Sequence, residues 1–411
     1  MTPQRKVLRA FSTSVLVAVF AGFASPALAI DAEDFAAKLN AAYGLLGSRF
    51  SYDTATTNGT DVTLGSVKQR LPGHGEIELG DLIFEEVSEP GDGSYMVKRL
   101  GYSDFSLWRD EAEISISGLE LSGIRIPGTP DDKTQSQMIS YERAKSGPVS
   151  VKLKGDQVFS MASFESAMSP QPNNAGYDLK ASGDGVVINL DPGLEKVGYA
   201  KSREIVSELG YGKLRGDLKL ELSWERGTGR IHAREYAFDV DDAGRLNMAF
   251  DISGYTPQFI KAIGRAESAA ASNPEPLAAQ QELEAARIRL LQQLTFTSGS
   301  IRFDDASLTR KMLATAGRKQ GVSGEQMAQG IKFMMPLLLW RVGIPALQQQ
   351  IAAAASVYLD NPQNIKITAN PASPVAVPMI MGAGKSDPRQ LVDLLNVQIT
   401  ANEPVLLCCK E

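Results

Sequence analysis

Asp217-Leu218-Lys219-Leu220-Glu221-Leu222-Ser223-Trp224 alternates strictly, with Leu218, Leu220, Leu222 and Trp224 on one side of an extended chain and Lys219, Glu221 and Ser223 on the other. Successive side chains of a strand point to opposite faces, so this stretch predicts a strand buried on one face and wet on the other. Leu246, Met248, Phe250 and Ile252 repeat the pattern, with Asn247 and Asp251 opposite. Outward from this pair, about 200 residues after Gly47 consist of short alternating runs, in the way hairpins divide a chain. The runs are separated by Asn58-Gly59, Pro90-Gly91-Asp92-Gly93, Gly183-Asp184-Gly185 and Gly227-Thr228-Gly229. Between Ile114 and Ile126 the apolar parity slips near Gly118 and again near Gly123, as bulges that bend a strand would make it do. The expected fold is α+β: a long, mostly antiparallel β-sheet curved around its apolar face, with helices concentrated in the C-terminal part.

The flanks are helical. Asp31 is placed to cap a short helix carrying Phe35, Leu39, Ala42 and Leu46 on one face. From Thr256 a helix opens on Phe259, Ile260 and Ile263 and runs into the alanines at 269–271, before the linker Asn273-Pro274-Glu275-Pro276. A second helix over 277–293 presents Leu283, Ala286, Leu290 and Leu294, then a strand is expected at 295–303 and helices at 307–320 and 324–359. Asn364-Ile365-Lys366-Ile367-Thr368-Ala369-Asn370 echoes Asn396-Val397-Gln398-Ile399-Thr400-Ala401-Asn402. Each copy follows a helix, which gives three helix-then-strand units with the one ending at Phe303. Similar surroundings would select similar residues, and a duplicated unit would do the same. The chain thus divides into 1–29, a β-rich region 30–255, and a helix-rich region 256–411 that contributes further strands.

Residues 1–29 have the layout of a secretory signal peptide. Arg5, Lys6 and Arg9 precede an apolar stretch from Ala10 to Ala24, and Pro26 leads to Ala27-Leu28-Ala29. The apolar run is short of the roughly 20 residues that span a bilayer, so cleavage after Ala29 and a periplasmic destination are expected. No cysteine stands directly after that point to carry a lipid anchor, and no later run is long enough to cross a membrane. The formal net charge is −6, more negative without the leader, which argues against nucleic acid as a partner. Two adjacent cysteines, Cys408 and Cys409, stand just before the final Lys410-Glu411. They form an incidental tail, a strained vicinal disulfide or an intermolecular link.

Motifs that carry chemistry are scarce. The two histidines, His74 in Pro72-Gly73-His74-Gly75 and His232 in an alternating run with Arg234 and Tyr236, lack the spacing of a metal site. There is no Gly-x-Ser-x-Gly and no Ser-x-x-Lys. Gly382-Ala383-Gly384-Lys385-Ser386 lacks the first glycine of a phosphate-binding loop, since Met379 stands there. It reads as a flexible loop leading to a helix capped by Asp387, with Pro388 in the first turn. Asp239-x-Asp241-Asp242-Ala243-Gly244 reads as a hairpin turn, because a calcium loop would need an acid at Ala243 and a glutamate at Phe250. Glu85-Glu86 and Asp131-Asp132 are acidic pairs of the kind a glycosidase uses, with nothing to set them apart from solvated loops. No catalytic residue, metal ligand or cofactor is assigned.

Phe333-Met334-Met335-Pro336-Leu337-Leu338-Leu339-Trp340 is apolar all round, so its helix is either buried or in contact with something greasy. Core packing is the first reading, with Pro336 as a kink. Phe333, Met334 and Trp340 are the candidates for contact with a hydrophobic ligand or partner.

Two C-terminal stretches carry a family resemblance. One is Ile301-Arg302-Phe303-Asp304-Asp305-Ala306-Ser307-Leu308-Thr309-Arg310-Lys311, followed by Gly321-Val322-Ser323; the other is Pro371-Ala372-x-Pro374-Val375-x-Val377 leading to Leu394-Leu395-Asn396-Val397. Over about residues 295–402 the chain resembles uncharacterised exported envelope proteins of Gram-negative bacteria, and in style it resembles YdgA-type and AsmA-type proteins. The AsmA resemblance implies lipid movement along a curved apolar β-groove and carries no site residues with it. The sequence therefore favours a non-enzymatic periplasmic protein that binds lipid or maintains the envelope, with lipid or another envelope protein as partner. A scaffold without a ligand, meeting partners through edge strands, and a carboxylate-based cell-wall hydrolase are the alternatives.

Overall fold

A computed structural model describes residues 30–45, 47–71, 75–109, 111–130, 138–190, 206–273, 275–340, 344–387 and 389–404. Helix α1 (Ala32–Gly44) comes first. Strands β1 (Arg49–Ser51), β2 (Thr54–Asn58), β3 (Asp61–Leu71), β4 (Gly75–Ser88), β5 (Tyr95–Gly101), β6 (Phe105–Arg109), β7 (Ala112–Ile116) and β8 (Glu120–Ile126) follow. The sheet continues with β9 (Arg143–Ser146), β10 (Val149–Leu153), β11 (Asp156–Met161), β12 (Ser163–Pro170), β13 (Gly176–Asn189), β14 (Lys213–Glu225), β15 (Arg230–Val240) and β16 (Gly244–Ser253). A hairpin of helices, α2 (Pro257–Ser272) and α3 (Pro276–Leu291), leads to β17 (Thr295–Asp305). Three helices, α4 (Leu308–Gln320), α5 (Gly324–Trp340) and α6 (Pro345–Asp360), precede β18 (Asn364–Ala369) and β19 (Val375–Ala376). Helices α7 (Val377–Ser386) and α8 (Arg389–Leu394) then give way to β20 (Val397–Ala401). All the strands belong to one antiparallel sheet, and it is continuous across residue 255 because β16 pairs with β17.

The topology is a meander. The pairs β5/β6, β7/β8, β9/β10 and β11/β12 are each one long rib interrupted part-way, and every rib pairs with those before and after it in the chain. The interruptions face each other across the sheet: Tyr102 N donates to Leu119 O (2.8 Å), Ser117 N to Pro148 O (3.0 Å), and Ala162 N to Asp184 O (2.9 Å). Breaks in register with one another make a line along which the sheet bends. Gly118 on that line has φ +60° and Gly123 within β8 has φ +62°, so both parity slips fall on left-handed residues that glycine tolerates.

The densest packing is at the N-terminal end. Asp31 Oδ1 accepts from Glu33 N and Asp34 N and starts α1 as expected. The helix buries Phe35, Ala36, Leu39 and Ala42 on one face, while Leu46 lies outside the described residues. The Phe35 ring meets Phe84 of β4 at 4.8 Å and Tyr95 of β5 at 5.3 Å. Near its start, α1 bonds Tyr52 beyond β1 through Glu33 and Tyr95 through Asp34; near its end, Tyr43 packs on Phe50 of β1. Strands on both sides of β3 and β4 thus reach one helix, and the sheet curls around it.

The C-terminal helices depart from the sequence reading in two places. The expected helix over 324–359 is two helices, α5 and α6, and the expected loop at 382–386 is the last part of α7. In α7 the glycines and Lys385 sit among Met379, Ile380 and Met381, and helix propensity summed over the segment outweighs two glycines. Asp387 does cap α8, accepting from Arg389 N at 3.0 Å, while Pro388 lies outside the described residues. Helix α6 lies along the free edge of β20: Gln350 accepts from Ile399 N (2.9 Å) and donates to Val397 O (3.5 Å), as a neighbouring strand would. Its far end is fixed by Tyr358, whose hydroxyl donates to Asp305 of β17 at 3.0 Å.

Truncating Phe35 to alanine is expected to cost about 3–5 kcal/mol in urea unfolding, the usual cost of an aromatic cavity in a closed core. Asp34 is held below the usual carboxylate value by hydrogen bonds from Lys38 and Tyr95. A depressed carboxylate stabilises the fold above its unfolded value of 3.8 and loses that contribution as pH falls through its folded value. Asp34→Asn should therefore destabilise by less than about 1 kcal/mol at neutral pH, because the group is partly exposed. Thermal melts should show the gap to wild type persisting to about pH 4 and closing below it.

Candidate functional site

Residues directly opposite in an antiparallel pair share a face, so the pairings can be followed from one strand to the next. Starting at Val62 of β3, the partners are Phe84, Leu100, Leu121, Ala144, Ser166 and Ala181. The line goes on through Leu220, Tyr236, Met248, Ile301 and Ile367 to Ile399 of β20. One row of side chains, apolar except for Ser166, thus crosses the sheet from β3 to β20. At a spacing of about 4.8 Å per strand its contour is roughly 55–60 Å. A second row beside it holds Met168, Leu179, Leu222, Ala233 and Phe250.

Burial changes along this row. Val62, Phe84 and Leu100 are at most 3% exposed beneath α1, whereas Tyr236, Ile301 and Ile367 are 45%, 49% and 43% exposed. Leu246 and Phe303, opposite each other on the same face, flank the open stretch. Midway lies a hollow of about 250 Å³ lined by Met168, Leu179, Leu222, Tyr177, Trp224 and Ile139. At its rim the buried Arg226 lies over the Tyr177 ring at 4.7 Å and donates to the Tyr177 hydroxyl at 2.5 Å. The apolar face is therefore a trough, filled at one end by α1 and open towards β15–β18. Ser166 Oγ, buried in the row, has no hydrogen-bond partner among the described residues.

The opposite face is charged and self-neutralised. Arg99 bridges Glu85 and Glu120, and Lys145 reaches Glu120 at 3.1 Å, linking β4, β5, β8 and β9. Lys180 and Arg234 both meet Glu221, and Arg245 meets Glu235 and Asp239. Hydrogen bonds from Lys145 and Arg99 hold Glu120 below the usual value, and Lys180 does the same for Glu221. Opposite-charge pairs of this kind stabilise neighbouring strands of a sheet.

The candidates from sequence fall as follows. Phe333 and Met334 are 87% and 49% exposed, as are Leu337 and Leu338 at 71% and 53%, so the core-packing reading is corrected for them. Helix α5 packs on α4 and α6, burying Met327, Ala328 and Leu339 instead. Trp340 ends the helix and its side chain lies outside the described residues. Pro336 lies inside α5, which runs from Gly324 to Trp340. His232 opposes Ser223 and Asp251, and Asp251 opposes Ser298, a row with the residue types of a hydrolase. Asp251, however, is held by Arg230 at 2.6 Å, and among the described residues no hydrogen bond joins His232 to any of the others. Tyr236 does not share the face of His232, because β15 carries an extra residue between Ala233 and Tyr236 that reverses the parity.

Asp241 to Ala243 form the turn between β15 and β16, with Asp239 at the end of β15 paired to Arg245 and the Asp242 carbonyl accepting from Tyr211. Glu85 and Glu86 face Arg99 and Lys98. His74, Asp131, Asp132, Cys408 and Cys409 lie outside the described residues. Among the described residues no group of three or more His, Cys, Asp or Glu side chains is placed to hold a metal, and no helix is long and apolar enough to cross a membrane.

A family model described as "Uncharacterized protein" matches residues 237–402. The match starts inside β15, one residue after Tyr236, and ends just beyond β20, so it covers Met248, Ile301 and Ile367 of the open stretch and all the C-terminal helices. No curated protein matches the chain.

The exposed rows should bind an apolar dye. Anilinonaphthalene sulfonate fluorescence is expected to rise with the native protein and to fall several-fold in Ile301→Lys, with little loss of stability at a half-exposed position. Ile83→Lys is the control: Ile83 is 47% exposed but lies on the charged face, adjacent in sequence to Phe84, and should leave the dye signal unchanged.

Proposed function

We propose that this is an exported, non-enzymatic periplasmic protein that holds a hydrophobic ligand, a lipid, in the trough. The carrying observation is the single apolar row from Val62 to Ile399 with its half-exposed stretch at Tyr236, Ile301 and Ile367. A soluble sheet gains nothing by leaving such side chains in water, and contiguous exposed apolar surface marks binding sites. An acyl chain laid across the strands would bury apolar area at roughly 25 cal/mol per Å². The α1 end is already filled, so the ligand enters and lies at the β15–β18 end. Residues 1–29 support export, and the resemblance to AsmA-type proteins fits a lipid carried on a β-groove.

A second reading has one observation of its own. Strand β6 pairs only with β7 among the described residues and carries Trp108, 63% exposed. An open edge with an aromatic anchor suits strand addition by a partner protein.

Mass spectrometry of the protein purified without detergent is expected to find about one lipid per chain, and Met248→Glu, which places a charge in the row, should abolish it. Lipid-free wild-type protein after expression in an envelope-bearing host would remove this reading. A partner cross-linked through Trp108 would favour the second.

A further inference from the structure

Helix α5 is held rigidly with one apolar stripe turned outward. A capping box starts it, with Gln326 N donating to Ser323 Oγ (3.1 Å) and Ser323 N to Gln326 Oε1 (2.8 Å). Its inner side buries Ala328 and Leu339, and Lys332 binds Asp360 of α6 at 2.7 Å. Phe333, Met334, Leu337 and Leu338, spaced i, i+1, i+4 and i+5, form a single exposed strip.

Three features identify what covers this strip. The four side chains open on the order of a few hundred Å², well short of the roughly 800 Å² per partner of a stable protein pair. A bilayer needs no matched partner surface, since interfacial helices bind in proportion to the apolar area they insert. The polar side of α5 carries no basic belt, because Glu325 is acidic and Lys332 is neutralised by Asp360, and the chain as a whole is acidic. The strip also lies one helix away from the trough, because α6 is packed against α5 and clamped to β20 by Gln350. We infer that the Phe333–Leu338 face of α5 inserts into the hydrocarbon boundary of a zwitterionic bilayer leaflet and holds the open end of the trough at the membrane surface. This rests on the lipid reading for its purpose, though not for its geometry.

Co-flotation with phosphatidylcholine vesicles tests it. Wild type is expected to float, equally at low and high salt, and less well when about a third of the lipid is anionic. Phe333→Asp with Leu337→Asp should reduce flotation by about tenfold or more, and Phe333→Leu should retain it. Both positions are exposed, so the fold should persist by circular dichroism, and Leu337→Asn alone serves if the double variant does not fold. Wild type that stays in solution, a double variant that floats equally, or binding that requires anionic lipid overturns the inference. So does a wild-type dimer in ultracentrifugation that the double variant loses, which would assign the strip to a second copy. Lipid bound to a wild type that does not float would defeat this inference alone, and flotation of a wild type that holds no lipid would defeat only the lipid reading.

Discussion

Parity is the constraint on which this fold depends. A strand shows its side chains alternately to two faces, so an error of one residue at any turn moves every later apolar side chain to the wrong side. The row from Val62 to Ile399 exists because each connection returns the chain with its parity intact or corrects it. In β15 the correction is visible: without the extra residue near Arg234, Glu235 would oppose Leu220 and enter the row, and Tyr236 would face the ion-pair ladders. The left-handed residues at Gly118 and Gly123 do similar work where the sheet bends.

The two ends of the row are in different physical states. At β3–β5 the aromatic contacts of Phe35, Phe84 and Tyr95 close a core in which water has no place. At β15–β18 the same alternation leaves side chains half in water. Local stability follows buried contact, so the open end is the part of the sheet that can adapt to something laid upon it. Its backbone stays fixed because Gln350 and Tyr358 tie α6 to β20 and β17.

Strands were legible because alternation is local: the faces of 217–224 and 246–252 could be assigned without any neighbour. The capped first helix was equally local. The pairing that joins separate runs is not local, so nothing in the alternation of either run marks Ile301 and Ile367 as neighbours in the open row. Alternation alone puts Tyr236 on the face of His232, because a bulge shows only when its partner strand is known. The apolar segment around Phe333 misled in the opposite sense: an all-round apolar helix suggests burial, yet the neighbours of α5 cover only one side. Gly382 and Gly384 suggested a loop, and the residues around them outvoted the glycines.

Because each rib touches chiefly its predecessor and successor, the sheet behaves as a one-dimensional stack. Inserting or deleting a whole hairpin between the α1 end and the Gln350 clamp would preserve parity and both terminal closures. It would change the contour by about 10 Å, twice the strand spacing. Ligand size is thus a quantity this architecture can set by counting, without redesigning a single contact at either end.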